Sequence, residues 1–209
     1  MDDSLRAGIA VYNAGATHAA HDAWEAHWLG LDEGTDDEQL LHGLIQFTAA
    51  IYHAENRNWS GAVGLARSGQ EYLAELPDRY RGVDLTVVRA YLRRLEVDPE
   101  RIERAAPPRL IYKGQPLVAA DLSVDEIALA AETIAADSEA YDQDSVEQAV
   151  EYAREEADSA DTEFIGLLVT FVDEATHRSI VYNRLATQVE RRQQKQQDVA
   201  GLFEPRDGE

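Results

Sequence analysis

The chain reads as an all-α protein, a multihelical array of about five N-terminal helices followed by a C-terminal helical hairpin. Three observations predict this. Apolar residues recur at i, i+3, i+4 and i+7 through nearly every long segment, the pattern of amphipathic helices. Capping residues stand before several of these segments, and glycine or proline stands after them. Of the 209 residues, 44% are hydrophobic and 28% charged, a balance that folds rather than stays disordered.

The elements follow in order. A first helix is expected over Ser4–Ala14, with Gly15 suited to end it. A second spans Thr17–Leu29, and Gly30–Gly34 is a turn. Thr35-Asp-Asp-Glu38 has the capping-box pattern, with Thr35 accepting from the backbone and Glu38 reaching back, so a third helix runs from there to about Asn56. Asn58 opens a fourth over Gly61–Leu76, which Pro77 stops. Asp84 caps a fifth, with Leu85, Val88, Tyr91, Leu92 and Leu95 on one face. Five breakers (Pro99, Pro107, Pro108, Gly114 and Pro116) interrupt residues 98–122, leaving Arg109–Tyr112 as a short extended piece. Ser123 and Glu126 form a second capping box, opening a helix to about Glu139. Ser145–Gln197 then reads as one hairpin of helices broken near Ser159–Asp161, with an apolar stripe from Phe164 to Ala175. The pattern divides the chain into a helical domain (1–97), a linker (98–122), acidic helices (123–197) and a tail (198–209). Fraying is expected from Gln193 and disorder in the tail.

Charge narrows the function classes. Asp and Glu number 40 against 19 Lys and Arg, for a formal net charge of −21. That argues against nonspecific nucleic-acid binding, which needs Lys and Arg to neutralise phosphates. The only lysines are Lys113 and Lys195. A lysine-poor, acid-coated chain fits a high-salt, halophile-like cytoplasm, where screening removes self-repulsion. There is no cysteine, which excludes disulfides and thiolate chemistry. No apolar h-region follows the acidic start, and no apolar run approaches the roughly 18 residues of a membrane span. The expectation is a cytoplasmic protein with no membrane partner. Glycine-rich phosphate loops and a Gly-x-Ser-x-Gly elbow are absent.

One polar set needs a physical reason. In the second helix His18, His21, Glu25 and Trp28 recur at +3, +4 and +3, a single stripe. In the third, His42, Gln46 and His53 recur at +4 and +7 beside an apolar face. Short loops make these helices antiparallel neighbours, so the stripes are expected to face each other. Two chemistries then open. His21, Glu25 and His53 have the ligand count of a catalytic zinc. Without metal, His21 acts as base, Glu25 orients it, His53 is a second base, Gln46 donates to a developing anion and Trp28 walls the pocket. The sequence requires no cofactor, and a divalent metal is the one candidate. The bland alternative is a buried network in which Glu25 accepts from His21 and the set fixes helix pairing. Trp24, Trp28 and Trp59 are core and interface fillers, and His177 is a surface ion pair with Asp173.

The same residues carry a resemblance. Tyr12-Asn13-x-Gly15, Ala20-His21-Asp22-x-x-Glu25-x-x-Trp28, Gly43-Leu-Ile-Gln46 with His53, and Asn58-x-x-Gly61-Ala62 together resemble the family named domain of unknown function 309. The likeness covers about residues 5–76. The chain departs in Asp22, where the family usually shows Glu, and in Thr17-His18, where an aromatic is common. The resemblance implies a compact all-α array found in bacteria and archaea, and no established activity. The reading is therefore a helical protein that binds a small polar ligand, or processes one hydrolytically, between the second and third helices. The alternative is a non-enzymatic module that forms a homo-oligomer through its C-terminal helices.

Overall fold

A computed structural model describes residues 1–157 and 162–201, with the side chains of Ala200 and Gly201 undescribed. Among these residues the chain forms nine α-helices and four two-residue strands. Helices α1 (Asp2–Asn13), α2 (Thr17–Trp28), α3 (Asp36–Glu55), α4 (Trp59–Leu73) and α5 (Leu85–Val97) make up the first half. Helices α6 (Val124–Ala136), α7 (Gln143–Glu156), α8 (Glu163–Asp173) and α9 (Arg178–Gly201) make up the second. Among the described residues no helix is long and apolar enough to cross a membrane.

Helix ends fall where the caps stand. Gly15, at φ +87°, lets the chain leave α1: its N–H bonds the Tyr12 carbonyl and that of Ala16 bonds Val11. Asn58, Asp84 and Ser123 each accept from a backbone N–H of the first turn they open, and Glu126 returns the bond to Ser123. Thr35 likewise accepts from the Glu38 N–H. The Glu38 side chain, however, does not close the capping box. It accepts instead from Gly34, Trp28 and His42, while the Thr35 N–H bonds the Asp32 carbonyl.

The strands, largely absent from the sequence pattern, build one antiparallel sheet in the order β1 (Arg79–Tyr80), β2 (Val83–Asp84), β3 (Ile111–Tyr112), β4 (Gln115–Pro116). Both hairpins turn on a two-residue X-Gly loop with both φ positive: Arg81-Gly82 at +49° and +84°, and Lys113-Gly114 at +49° and +91°. Those values suit type I′ turns, whose twist matches paired strands. Strands of two residues carry too little alternation for period-2 reading.

The C-terminal stretch expected as a helical hairpin is three helices, α7 to α9. The expected break at Ser159–Asp161 lies outside the described residues. A second break, over Glu174–His177, has no Gly or Pro to announce it. Arg178 secures it by donating to the carbonyls of Phe171 and Val172 at 2.9 Å each, satisfying the end of α8. Helix α9 runs through the polar stretch from Gln193 to Gly201, since Gln, Arg and Lys are good helix formers and Gln194 bonds Asp198 one turn on. Residues 202–209 of the expected disordered tail lie outside the described part. His177 pairs with Glu174, and Asp173 instead accepts from the Ala119 N–H.

One core runs through both halves, from Ile9 and Phe47 to Phe171 and Leu185. Helix α6 packs on α1 and α2, and Arg6 donates to Glu126 at 2.6 Å across that join. The Asn13 carboxamide accepts from the Leu110 N–H and donates to the carbonyls of Leu110 and Leu117, tying α1 to the segment between the halves. Trp24 is fully buried where α2 crosses α1, in space that Gly8 leaves open. The apolar stripe of α8 (Phe164, Leu167, Leu168, Phe171, Val172) is buried by the chain's own helices.

Candidate functional site

On α2, His18, His21, Asp22 and Glu25 form one stripe over two turns, as i+3 and i+4 spacing requires. His21 faces α3. The Thr48 hydroxyl donates to the Ile45 carbonyl at 2.9 Å, which leaves its oxygen to accept from the His21 Nδ1–H at 3.4 Å. His18 faces α6: its Nδ1 lies 2.5 Å from Asp137 Oδ1 and 3.5 Å from Asp22 Oδ2. Burial raises the Asp22 carboxyl, and the nearby His18 and His21 only partly oppose that. Glu25 is half-buried and makes no hydrogen bond among the described residues, to His21 or to any other group.

Of the expected α3 stripe only His42 meets the α2 stripe, at its far end against Trp28, and Gln46 and His53 do not join His21 and Glu25. A helix advances about 100° per residue, so with Thr48 against α2, His42, Gln46 and His53 lie about 120–160° round the helix, toward α4. There the small residues of α4 admit them. A Cβ on Gly69 would stand 3.3 Å from the Gln46 Cβ, and one on Gly61 would collide with the His53 ring. His53 Nδ1 accepts from the Asn58 side-chain amide at 2.7 Å, so it secures the α3–α4 junction. Periodicity defines a stripe but not its azimuth, and α3 has helices on both sides. Among the described residues the three-ligand groupings that could hold a cation are His21–Asp22–Glu25 and His18–Asp22–Asp137. His53 is in neither.

Trp28, His42 and a residue read only as a cap come together elsewhere. Glu38, 8% exposed, accepts at Oε1 from the Trp28 indole N–H (2.8 Å) and the His42 Nδ1–H (3.1 Å), and at Oε2 from the Gly34 N–H (3.4 Å). Burial alone would raise its carboxyl, but the bonds from Trp28, His42 and Gly34 outweigh burial and hold it below the usual glutamate range. The His42 ring stacks on Tyr72 of α4 with centroids 3.7 Å apart and packs against Trp28 at 4.5 Å. These groups line a cleft of about 670 Å³, whose rim carries Glu33, Glu71 and Glu75 and, among the described residues, no Lys or Arg. A second cleft, of about 420 Å³, opens between α2 and α6 beside Asp22, Glu132 and Glu147. The i, i+4 spacing of Glu38 and His42 is in the sequence. Tyr72 and Asp137 arrive from distant segments, and no local signal marks them.

Residues 5–65 match the family Domain of unknown function (DUF309). The DUF309 match thus covers most of α1, all of α2 and α3 and the start of α4, shorter than the resemblance over 5–76 and ending before Tyr72 and Asp137. A protein of Aquifex aeolicus (strain VF5), described only as uncharacterized, is 30% identical over 101 residues. That stretch is 48% of this chain and 29% of the relative, so the chain spans less than a third of the relative's length. Neither description carries an activity.

Proposed function

We propose that the DUF309 segment with its flanking α4 binds a small polar ligand in the cleft walled by Trp28, His42 and Tyr72. The observation that carries this reading is the Glu38–His42 pair. Glu38 accepts a hydrogen bond from the His42 Nδ1–H and orients the ring, which leaves Nε2 with no protein partner among the described residues. Nε2 is thereby an acceptor for a ligand N–H or O–H, and in a hydrolytic use the same atom would be the base. The relation first expected of His21 and Glu25 is thus supported better by His42 and Glu38. The acidic rim without Lys or Arg favours ligands that offer N–H groups or positive charge and disfavours phosphorylated ones.

The test is thermal unfolding of the full chain in the presence of separate panels of amines, guanidines, neutral polyols and phosphorylated compounds. A ligand at ten times its Kd adds about 1.4 kcal/mol, which raises Tm by a few degrees. Amines or guanidines are expected to stabilise the wild type and to lose that effect in His42→Ala and Tyr72→Leu. Stabilisation that persists in both variants, or none from any class, removes the proposal.

A further inference from the structure

The stripe His18, His21, Asp22 and Glu25 is not used by the cleft, and it is built of metal-ligand residue types. We infer that it forms a carboxylate-bridged pair of divalent-cation positions. His21 and Glu25 hold one position, His18 and Asp137 hold the other, and Asp22 is shared. Each three-residue set already has its donor atoms within 4.8 Å of one another. Donors on one cation stand roughly 3–3.5 Å apart at bond lengths of about 2.0–2.2 Å, so side-chain rotation alone closes each set. The backbone has done the costly part, because residues at i, i+3, i+4 and i+7 rise along one face of α2. Asp137 meets them from the end of α6, which the core holds against α1 and α2.

The ligand chemistry selects the ion. Each position combines one imidazole with two carboxylates, a set suited to first-row divalent ions such as Zn²⁺, Mn²⁺ or Fe²⁺ rather than to Ca²⁺ or Mg²⁺. Three protein ligands leave coordination positions free for water, and the cleft beside Asp22 gives them access to solvent. Two cations sharing a carboxylate stand about 3.5–4 Å apart, the spacing of two-metal hydrolytic centres. This inference does not rest on the Trp28–His42 cleft.

The experiment is calorimetric titration of the chelator-treated full chain with Zn²⁺ and with Mn²⁺, in molar KCl and excess Mg²⁺ to suppress loose binding to the acidic surface. Two equivalents are expected, weakened by at least about 100-fold in Asp22→Asn. Glu25→Gln and Asp137→Asn should each remove one equivalent and keep the other. Because Asp137 and Glu25 lie outside the core, circular dichroism and melting of the metal-free variants separate loss of binding from loss of fold. A stoichiometry below two, or titrations unchanged by Asp22→Asn in a folded variant, would overturn the inference.

Discussion

At the scale of single residues, two carboxylates have opposite relations to the fold. Glu38 is held below the usual glutamate range by its donors, so its stabilising effect is present above about pH 4.3 and is lost as pH falls through its lower folded-state pKa. Glu38→Gln should cost about 1–3 kcal/mol at pH 7, since it weakens acceptance from Trp28, His42 and Gly34. In urea melts the gap between variant and wild type should narrow below pH 4; a constant gap would show that the charge is not what matters. Asp22 behaves the other way. Its carboxyl is raised by burial, so its charged form opposes folding at neutral pH and protonation relieves that as pH falls through the raised value. Asp22→Asn should therefore stabilise the metal-free chain at pH 7, by under about 1 kcal/mol because the side chain is 43% exposed and screened. With Zn²⁺ present the order should reverse. The same variant that melts higher alone then melts lower.

At the scale of elements, what the sequence carries best is where helices begin. Asn58, Asp84 and Ser123 accept from the backbone N–H groups their positions suggest. What it carries poorly is which way a helix is turned and whether a very short strand exists. Gln46 and His53 share a stripe whether that stripe faces α2 or α4, and small residues on α4 decide the matter. The hairpins at Arg81-Gly82 and Lys113-Gly114 hide in strands of two residues. Of the candidate site, Trp28, His42, His18, His21 and Glu25 are legible from spacing, whereas Asp22, on the same face, enters the sequence reading only as a departure from the family pattern. Glu38 is hidden by its plausible role as a cap, and Tyr72 and Asp137 by distance along the chain. Close helix approach gives a sharp prediction. Glycine inside an exposed helix costs about 1 kcal/mol relative to alanine, so Gly43→Ala would ordinarily stabilise α3. Here a Cβ at Gly43 would collide with the buried Leu73 of α4, so Gly43→Ala should instead destabilise by about 1–3 kcal/mol in denaturant unfolding. A gain in stability would mean that α3 and α4 are farther apart.

At the scale of the molecule, the pattern boundary at residues 98–122 is bridged by Asn13, Arg6 and a common core. Near-ultraviolet and far-ultraviolet signals should accordingly lose structure in one coincident transition, whereas two separated midpoints would mean that the halves fold alone. The charge of −21 gives a second expectation at this scale. Self-repulsion among unpaired carboxylates is screened as salt rises, so Tm should climb between 0.1 and 2 M KCl. A flat or falling Tm would leave the acidic composition without a high-salt explanation.

The DUF309 match ends at residue 65, yet Tyr72 and Asp137 complete the two constellations described above. The matched segment is therefore like one jaw of a vice: it carries Trp28, Glu38, His42 and the α2 stripe, with the His21–Asp22–Glu25 set complete within it, while Tyr72 against His42 and Asp137 against His18 come from the rest of the chain. A likeness confined to that segment therefore leaves both Tyr72 and Asp137 outside it. Under both proposals, a likeness in the segment alone does not carry ligand identity from one protein to another.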